Sequence, residues 1–183
     1  MKHYIDIKLL LDDEIPIYFV RNKVYSKLHK ALFDLQATTI GVSFPQYKVM
    51  LGDVLRIHGT ESKLLELQNT NWIGGLSGYC RVSNIQIIPD EVTHRTISRI
   101  QANMTEAKLR RLIKRGTIST EETKQYKAKM FSQGLDNPYL ELESISNGHK
   151  HRRYLVFGDK MTEAVTGEFD FFGLSKVATI PWF

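Results

Sequence analysis

The stretch HYIDIKLLLDDEIPIYFVRNKVYSKLHKALFDL, residues 3–35, determines how the chain begins to fold. Residues 3–9 alternate apolar and polar side chains and end at an acidic loop, which predicts a β-strand. Pro16 suits the first turn of a helix, because its missing N–H is not needed there. Apolar side chains then recur at the spacing of one helical face, at Val20, Val24, Leu28, Ala31, Leu32 and Leu35. The stretch therefore predicts a strand followed by an amphipathic helix.

Predicted strands and helices continue to follow one another as far as residue 90. Two strands are predicted at residues 38–44 and 49–58, with a break around Pro45. Thr60 is a suitable N-cap for a second helix, and glycines at 74, 75 and 78 precede a strand over residues 81–88. The resulting order, βαββαβ, is the ferredoxin-like arrangement, which predicts a first domain over residues 1–90.

The second half begins with the most basic stretch of the chain, SRIQANMTEAKLRRLIKRG, residues 98–116. The chain has 25 Lys and Arg against 20 Asp and Glu, a formal net charge of +5. The stretch holds six of the basic residues and one of the acidic ones, so that 19 of each lie elsewhere. The whole net charge of the chain is therefore concentrated in this one short segment.

The part of this stretch between Thr105 and Gly116 is predicted to form a helix. Thr105 can act as its N-cap, and Gly116 can end it in a left-handed conformation. Leu109, Leu112 and Ile113 fall on one arc at 100° per residue. The cations fill most of the other arc: Lys108, Arg110, Arg111, Lys114 and Arg115.

Further elements complete a second domain over residues 91–183. Ser119 and Glu122 form a capping-box pattern that opens a helix to about residue 133, where Gly134 ends it. Two strands are predicted at residues 139–145 and 152–157, with Asn147-Gly148 between them as a hairpin signal, and a glycine-punctuated tail follows. The predicted fold class is α+β, with a ferredoxin-like N-terminal domain and a C-terminal α/β domain carrying the arginine- and lysine-rich helix.

Composition excludes several classes of protein. With 183 residues and 42% hydrophobic content, the chain can bury a core without disulfides or metals. It contains no run of about 20 apolar residues, and its start lacks the apolar core of a signal peptide. Its one cysteine, Cys80, cannot form an internal disulfide, which favours a cytoplasmic location. Because a free cysteine behaves as a small hydrophobic residue, Cys80 is expected to be buried.

The basic helix favours a polyanionic ligand. Five like charges within eight residues repel one another at i,i+3 and i,i+4 spacings, and binding of several phosphates would relieve that repulsion. A solvated surface face is the alternative interpretation. Membrane binding is less favoured, because the apolar arc lacks the Trp and Phe typical of interfacial helices.

Several motifs in order resemble one known family. They are HYIDIKL near the start, KLHKAL at 27–32, IGVSFP at 40–45, LRIHG at 55–59, SRIQA at 98–102, LRR at 109–111 and the ending FGLSK…PWF. The chain resembles the endoribonucleases of type I-F CRISPR systems, the Csy-type branch of the Cas-six family, over essentially its full length.

The resemblance implies an activity. Members of the family bind a hairpin in the repeat of precursor CRISPR RNA and cut at the 3′ base of its stem, using no metal and no cofactor. They leave a 5′ fragment ending in phosphate, expected to be 2′,3′-cyclic, keep it bound, and join the type I-F interference complex. We accordingly expect CRISPR repeat RNA and interference-complex subunits as partners, no membrane, and a monomer when the protein is alone.

The resemblance also implies catalytic residues. His29, in KLHKAL, matches the family's catalytic histidine, and its wheel position off the centre of the apolar stripe predicts that it is accessible. Ser144 matches the serine that holds the attacking 2′-OH. Phe172 falls where a member of the family carries a tyrosine beside the active site, so that the ring is kept and the hydroxyl lost. A core aromatic is the alternative interpretation of Phe172.

RNA-binding residues follow in the same way. Arg99 and Gln101 match the pair that reads purine edges near the base of the stem. His151 falls where the family stacks a phenylalanine on the terminal base pair, and Ser146 and Asn147 are expected to contact the same nucleotides. The helix cations Lys108, Arg110, Arg111, Lys114 and Arg115 would lie along the stem, although Leu112 and Gly116 replace arginines expected in the family.

Other readings of the sequence belong to different classes. A non-catalytic RNA-hairpin-binding subunit shares the expected fold, but the aromatic motif of RNA-recognition modules is missing from residues 51–59. A DNA-binding regulator would be expected to dimerise, and no heptad pattern is present. The acidic residues 12–14 and the HKH at 149–151 are too short and isolated to predict a metal site.

Overall fold

The protein is described here by a computed structural model that covers residues 1–100, 106–132, 137–143, 148 and 150–183. Within these residues, helices and two antiparallel sheets make up the structure. The prediction of an α+β protein is therefore confirmed.

The first sheet is built entirely from the N-terminal half. Its strands are β1 (His3–Leu9), β2 (Gly41–Ser43), β3 (Val54–Gly59), β4 (Cys80–Val82) and β5 (Gln86–Ile87). They are ordered β2-β3-β1-β4, all neighbours are antiparallel, and β5 also pairs with β1. Two helices, α1 (Ile17–Asp34) and α2 (Glu61–Asn69), and a 3-10 segment at Gly74–Tyr79 connect the strands.

The two helices of this half begin where the sequence predicts. Helix α1 follows Pro16 and buries most of the predicted apolar face, together with Arg21 and Tyr25. Helix α2 follows Thr60, whose hydroxyl oxygen accepts a hydrogen bond from the backbone N–H of Lys63 at 3.3 Å. Local capping and periodicity are thus enough to set these helices.

The strands of this half are shorter than predicted. The strand expected over residues 38–44 is limited to β2, and the one expected from residue 49 begins only at Val54, after a loop in which Gly52 has φ of +75°. The strand expected over 81–88 is split into β4 and β5. Ser83 interrupts it, because its hydroxyl accepts from the N–H of Asp6 and donates to the carbonyl of Asn84.

The second sheet is built from the C-terminal half. Its strands are β6 (Thr93–Ile100), β7 (Tyr139–Glu143), β8 (Lys150–Phe157) and β9 (Ser175–Trp182), in the order β7-β8-β6-β9. Strands β7 and β8 correspond to the two predicted strands, the second beginning two residues earlier than expected.

The sequence did not predict β6 or β9. In β6, Arg95 occupies a position where apolar alternation would require an apolar residue, and its guanidinium lies over the rings of Phe157 and Trp182 at 5.3 and 4.7 Å. Strand β9 is an edge strand, which can accommodate Pro181. The predicted glycine-punctuated tail is therefore wrong for residues 175–182, which pair with β6.

Helices α3 (Glu106–Lys114) and α4 (Thr120–Ser132) precede β7. Helix α3 ends in a Schellman motif: Gly116, at φ +65°, donates to Ile113 O, and Thr117 N donates to Leu112 O. Ser119 and Glu122 form the predicted capping box. Ser119 N donates to the Glu122 carboxylate at 2.8 Å, and Glu122 N donates to the Ser119 hydroxyl oxygen at 3.2 Å. The predicted N-cap Thr105 and the predicted end of α4 at residues 133–134 lie outside the described residues.

One hydrophobic core joins both sheets. It includes Ile5 and Ile7 of β1, Leu28 of α1, and Ile97 and Leu155 of the second sheet. Cys80 is buried as a free thiol, as predicted. No helix in the described part of the chain is long and apolar enough to cross a lipid bilayer. The shared core fixes α1 against the second sheet, which places His29 beside the segment that leads into β9.

Candidate active site

His29 lies on α1 with one ring nitrogen already engaged. Its Nδ1 is 2.8 Å from the backbone carbonyl oxygen of Phe171. Because a carbonyl oxygen can only accept, the Nδ1 position carries the proton and the neutral ring keeps its lone pair on Nε2. The side chain is half-buried, in agreement with the predicted position off the centre of the apolar stripe.

The ring of Phe172 stacks directly on His29. The ring centroids are 3.5 Å apart and the planes differ by 13°. The backbone carbonyl of Phe172 accepts a hydrogen bond from the Tyr25 hydroxyl at 2.7 Å, and its N–H donates to Asp170 Oδ1 at 2.9 Å. The structure thus brings the predicted pair His29 and Phe172 together. Both backbone polar groups of Phe172, its N–H and its C=O, are hydrogen-bonded.

The turn that carries Phe172 depends on two neighbours. Asp170 Oδ1 also accepts from the backbone N–H of Leu174 at 2.9 Å. Gly173 has φ of +69°, and its carbonyl accepts from Val42 N at 2.9 Å. A Cβ at residue 173 would lie 3.0 Å from Val42 Cβ, so the close approach of the turn to β2 requires glycine.

The environment of His29 favours its neutral form. Burial is the main cause and lowers its pKa, and the charge of Arg153 lowers it further. The hydrogen bond to Phe171 and the charge of Asp170 raise the pKa in opposition, but the net direction is downward. The ring is therefore mostly neutral near pH 7 and can accept a proton at Nε2.

Arg153 is a site residue that the sequence analysis missed. It lies on β8, is 6% exposed, and its Cζ is 3.4 Å from the centroid of the Phe172 ring. A signal was present in the sequence, because strand alternation puts residue 153 on the same face as Leu155, which is fully buried. A cation at an inward position of a strand is uncommon enough to be noted.

An open groove of roughly 490 Å³ lies next to this cluster. One wall comes from the end of β6 and includes Arg99, and the other comes from the segment that leads into β9 and includes Asp170 and Lys176. Arg99 is exposed. Burial is the main cause that lowers the pKa of Arg153, and the charge of Arg99 lowers it further, so the two cations lie near each other. The groove therefore presents both signs of charge, and it is linked to the His29–Phe172 stack through Asp170, which accepts the hydrogen bond from Phe172 N–H.

The remaining predicted residues are distributed as follows. His151 is exposed on β8, two residues from Arg153 and on the same face of the strand. The cations of α3 are all exposed, while Leu109 on the opposite arc is 1% exposed. Gln101, Ser144, Ser146 and Asn147 lie outside the described residues.

The described residues contain no cluster of three or more His, Cys, Asp or Glu side chains suited to a metal ion. Asp12, the first residue of the acidic loop, instead accepts hydrogen bonds from the N–H groups of Glu14 and Ile15 at 2.9 Å each. Its carboxylate therefore serves a local turn.

Comparison with known proteins identifies the family. A family model described as CRISPR-associated protein (Cas_Csy4) matches residues 4–183. The chain belongs to this family.

Two curated relatives agree with the Cas_Csy4 match. A CRISPR-associated endonuclease Cas6/Csy4 of Escherichia coli (strain UTI89 / UPEC) is 36% identical over 184 residues, covering 100% of both chains. A protein of the same name from Pseudomonas aeruginosa (strain UCBPP-PA14) is 34% identical over 187 residues, also covering 100% of both. The predicted family and the predicted enzyme class, a CRISPR-associated endonuclease, are therefore confirmed.

Among solved structures, the CRISPR endoribonuclease Cse3 bound to a 19-nucleotide RNA matches with a TM-score of 0.39 and 11% identity, over 99% of this chain and 100% of that one. A likeness this distant assigns no role to any residue.

Proposed function

We propose that this Cas_Csy4 protein is a metal-independent endoribonuclease that cuts the repeat hairpin of precursor CRISPR RNA at the 3′ base of the stem. The observation that carries the proposal is the hydrogen bond from His29 Nδ1 to Phe171 O, which leaves Nε2 available for proton transfer. Full-length similarity to two Cas6/Csy4 endonucleases supports the substrate class.

The proposed reaction uses a nucleophile that belongs to the RNA. The 2′-oxygen attacks the adjacent phosphorus, the bond from phosphorus to the 5′-oxygen breaks, and a 2′,3′-cyclic phosphate and a 5′-hydroxyl are formed. One proton leaves the 2′-OH and one reaches the departing 5′-oxygen, so the reaction balances without a metal ion as a reactant. His29 is proposed to take part in this proton transfer.

Two further residues are proposed to assist His29. Phe172 fixes the plane of the imidazole through the stack described above. Ser144 is proposed to hold the 2′-OH in line with the scissile bond, since alignment lowers the barrier as directly as a base does. The assignment of Ser144 follows the family resemblance, whereas that of Phe172 rests on the stack with His29.

RNA recognition is proposed to divide between base reading and phosphate binding. Arg99, which lines the groove together with Asp170, and Gln101 would read purine edges at the base of the stem. His151 would stack on the terminal base pair, with Ser146 and Asn147 near the same nucleotides. The α3 cations would bind stem phosphates and retain the product after cleavage, which predicts slow turnover.

We propose that the two halves divide this work. Residues 1–90, whose order βαββαβ and sheet order β2-β3-β1-β4 support a ferredoxin-like domain, carry His29. Residues 91–183 would form the RNA-recognition domain. A cytoplasmic location, a monomeric state when alone, and assembly with type I-F interference subunits remain predictions from the sequence.

Cleavage and binding by His29→Ala test the proposal. A labelled repeat hairpin is incubated in EDTA with wild type, with His29→Ala, and with His3→Asn as a histidine control at the start of β1. We expect wild type and His3→Asn to cut once at the 3′ base of the stem, and His29→Ala to bind with similar affinity without cutting. If wild type binds and does not cut, the alternative of a non-catalytic hairpin-binding subunit replaces the proposal.

A further inference from the structure

Arg153 is a buried cation in the middle of β8. It is 6% exposed and pairs across the strands with Leu140, which is fully buried. Burial of a charge is unfavourable unless the charge is paired and hydrogen-bonded. A buried arginine in this position is therefore expected to have an anionic, hydrogen-bonding partner.

The guanidinium shares one aromatic ring with the proposed base. Arg153 Cζ is 3.4 Å from the Phe172 centroid, and the His29 centroid is 3.5 Å from the same point. Two groups this close to one centroid cannot occupy the same face of the ring without overlapping, so they lie on opposite faces. Phe172 thus separates the imidazole from the cation, and the stack holds both in place.

The charge of Arg153 is incompletely compensated within the described residues. Its Nε is buried with no hydrogen-bond partner, and no described carboxylate lies within salt-bridge distance of its guanidinium. Asp170 favours its charge from a longer distance, while Arg99 opposes it. Arginine does not deprotonate in proteins, so this positive charge persists.

We propose that Arg153 binds the scissile phosphate and stabilises the negative charge that develops on its non-bridging oxygens during cleavage. This role rests on the proposed function, since it requires RNA cleavage beside His29. As the 2′-oxygen bonds to phosphorus and the 5′-oxygen leaves, charge gathers on the two non-bridging oxygens. A desolvated guanidinium binds such charge more strongly than a hydrated one, and its planar donors match phosphate geometry.

In this scheme the two sides of Phe172 have separate roles. Proton transfer stays with His29, and Arg153 exchanges no proton. The phosphate would supply the anion that the buried guanidinium lacks in the free protein. Arg99 and Lys176 in the adjoining groove would attract the RNA backbone toward the same place.

The experiment compares Arg153→Met and Arg153→Lys with the matched control Arg152→Met. Arg152 is the preceding residue on β8, exposed on the opposite face, where it lies 3.7 Å from Glu141. Single-turnover cleavage is measured on the repeat hairpin, and affinity is measured with a hairpin carrying a 2′-deoxyribose at the scissile nucleotide. We expect Arg153→Met to lower the cleavage rate by about 10²–10³-fold, with much smaller loss of affinity, and Arg153→Lys to lose less.

A second measurement separates phosphate binding from a merely structural role. Single sulfur substitutions, Rp and Sp, are placed on the scissile phosphate. We expect wild type and Arg152→Met to be slowed more by one isomer than by the other, and this difference to shrink in Arg153→Met because the contacting group is gone. A rate loss that leaves the isomer difference unchanged would show that Arg153 only supports Phe172, and would overturn the proposal.

The remaining outcomes separate this inference from the proposed function. If wild type and Arg153→Met cleave equally fast, the assignment of Arg153 is overturned while the endoribonuclease stands. If wild type itself does not cut the hairpin, both the assignment of Arg153 and the proposed endoribonuclease function are contradicted.

Discussion

The imidazole of His29 and the ring of Phe172 are stacked at 3.5 Å with an angle of 13° between their planes. The hydrogen bond from Nδ1 to Phe171 O fixes the remaining rotation of the imidazole about its side-chain bonds. The side chain is therefore ordered before any RNA is bound. Such preorganisation reduces the cost of reaching a reactive geometry, and it makes several effects of substitution and pH predictable.

The cleavage rate is expected to depend on pH through His29. Burial lowers its pKa, so the neutral form is lost only when pH falls through a value below about 6.5. If neutral His29 accepts the 2′-OH proton, the single-turnover rate should be level near pH 7–8 and fall on the acid side with a midpoint below about 6.5. An NMR titration of His29 in the free protein provides the comparison, and a rate that rises as the ring becomes protonated would contradict this role.

Gly173→Ala is expected to disrupt the turn that carries Phe172. The substitution combines a left-handed backbone with a clash against Val42, and we expect a loss of about 3 kcal/mol in the free energy of unfolding. Gly116→Ala is the matched control, because Gly116 has a similar φ of +65° with no atom within 4 Å of the added Cβ. Urea unfolding should show a loss of at most about 1–2 kcal/mol for the control. Equal losses would show that the approach to Val42 does not matter.

Acid should destabilise the protein through His58. Full burial, with smaller effects of nearby positive charges, lowers the pKa of His58 from 6.5 to about 3, and its Nε2 lies 2.7 Å from Ser43 Oγ. Between these two pKa values the unfolded chain binds more protons than the folded one, so stability rises with pH. We expect stability to fall by about 1.4 kcal/mol for each pH unit from about 6.5 toward 3.

Two variants test the contribution of His58. His58→Leu should flatten the pH dependence of urea unfolding, whereas Ser43→Ala removes the hydrogen bond and keeps the imidazole, so its pH dependence should persist. A slope unchanged in His58→Leu would assign the acid sensitivity to other groups.

Helix α3 should bind RNA mainly through its charge. Arg110→Ala and Arg115→Ala are each expected to weaken hairpin binding about equally for different stem sequences and to reduce the slope of log affinity against log salt by about 0.9. Lys30→Ala serves as the control, because Lys30 is exposed on α1 and pairs with Asp34 at 2.6 Å. Titrations across a series of salt concentrations give the slopes. A loss confined to one stem sequence would instead indicate base contacts by α3.

Local sequence signals predicted the helices well. The periodicity of α1, the Thr60 cap of α2 and the Ser119 capping box of α4 each act within a few residues, and the structure contains all three. The strands β6 and β9 were missed because their partners are distant in sequence. The guanidinium of Arg95 in β6 lies over the rings of Phe157 and Trp182. These aromatic residues are far from Arg95 in the sequence, so local sequence patterns do not predict the contact.

The candidate site was predicted only in part for the same reason. His29 and Phe172 could be assigned from motifs, but they are 143 positions apart and their stacking depends on the turn from Asp170 to Leu174. Arg153 belongs to no motif; strand alternation indicates that it points inward, but its contact with Phe172 is visible only in the structure.

The most direct test of the account is the chemical identity of the product formed in EDTA. A repeat hairpin is incubated with wild-type protein in excess EDTA, and the 5′ fragment is analysed by mass, alongside a hairpin with 2′-deoxyribose at the scissile nucleotide. We predict a single cut at the 3′ base of the stem, a fragment ending in a 2′,3′-cyclic phosphate, and no cleavage of the deoxy substrate. Cleavage that requires added Mg²⁺, or a fragment ending in a 3′-hydroxyl, would contradict the account.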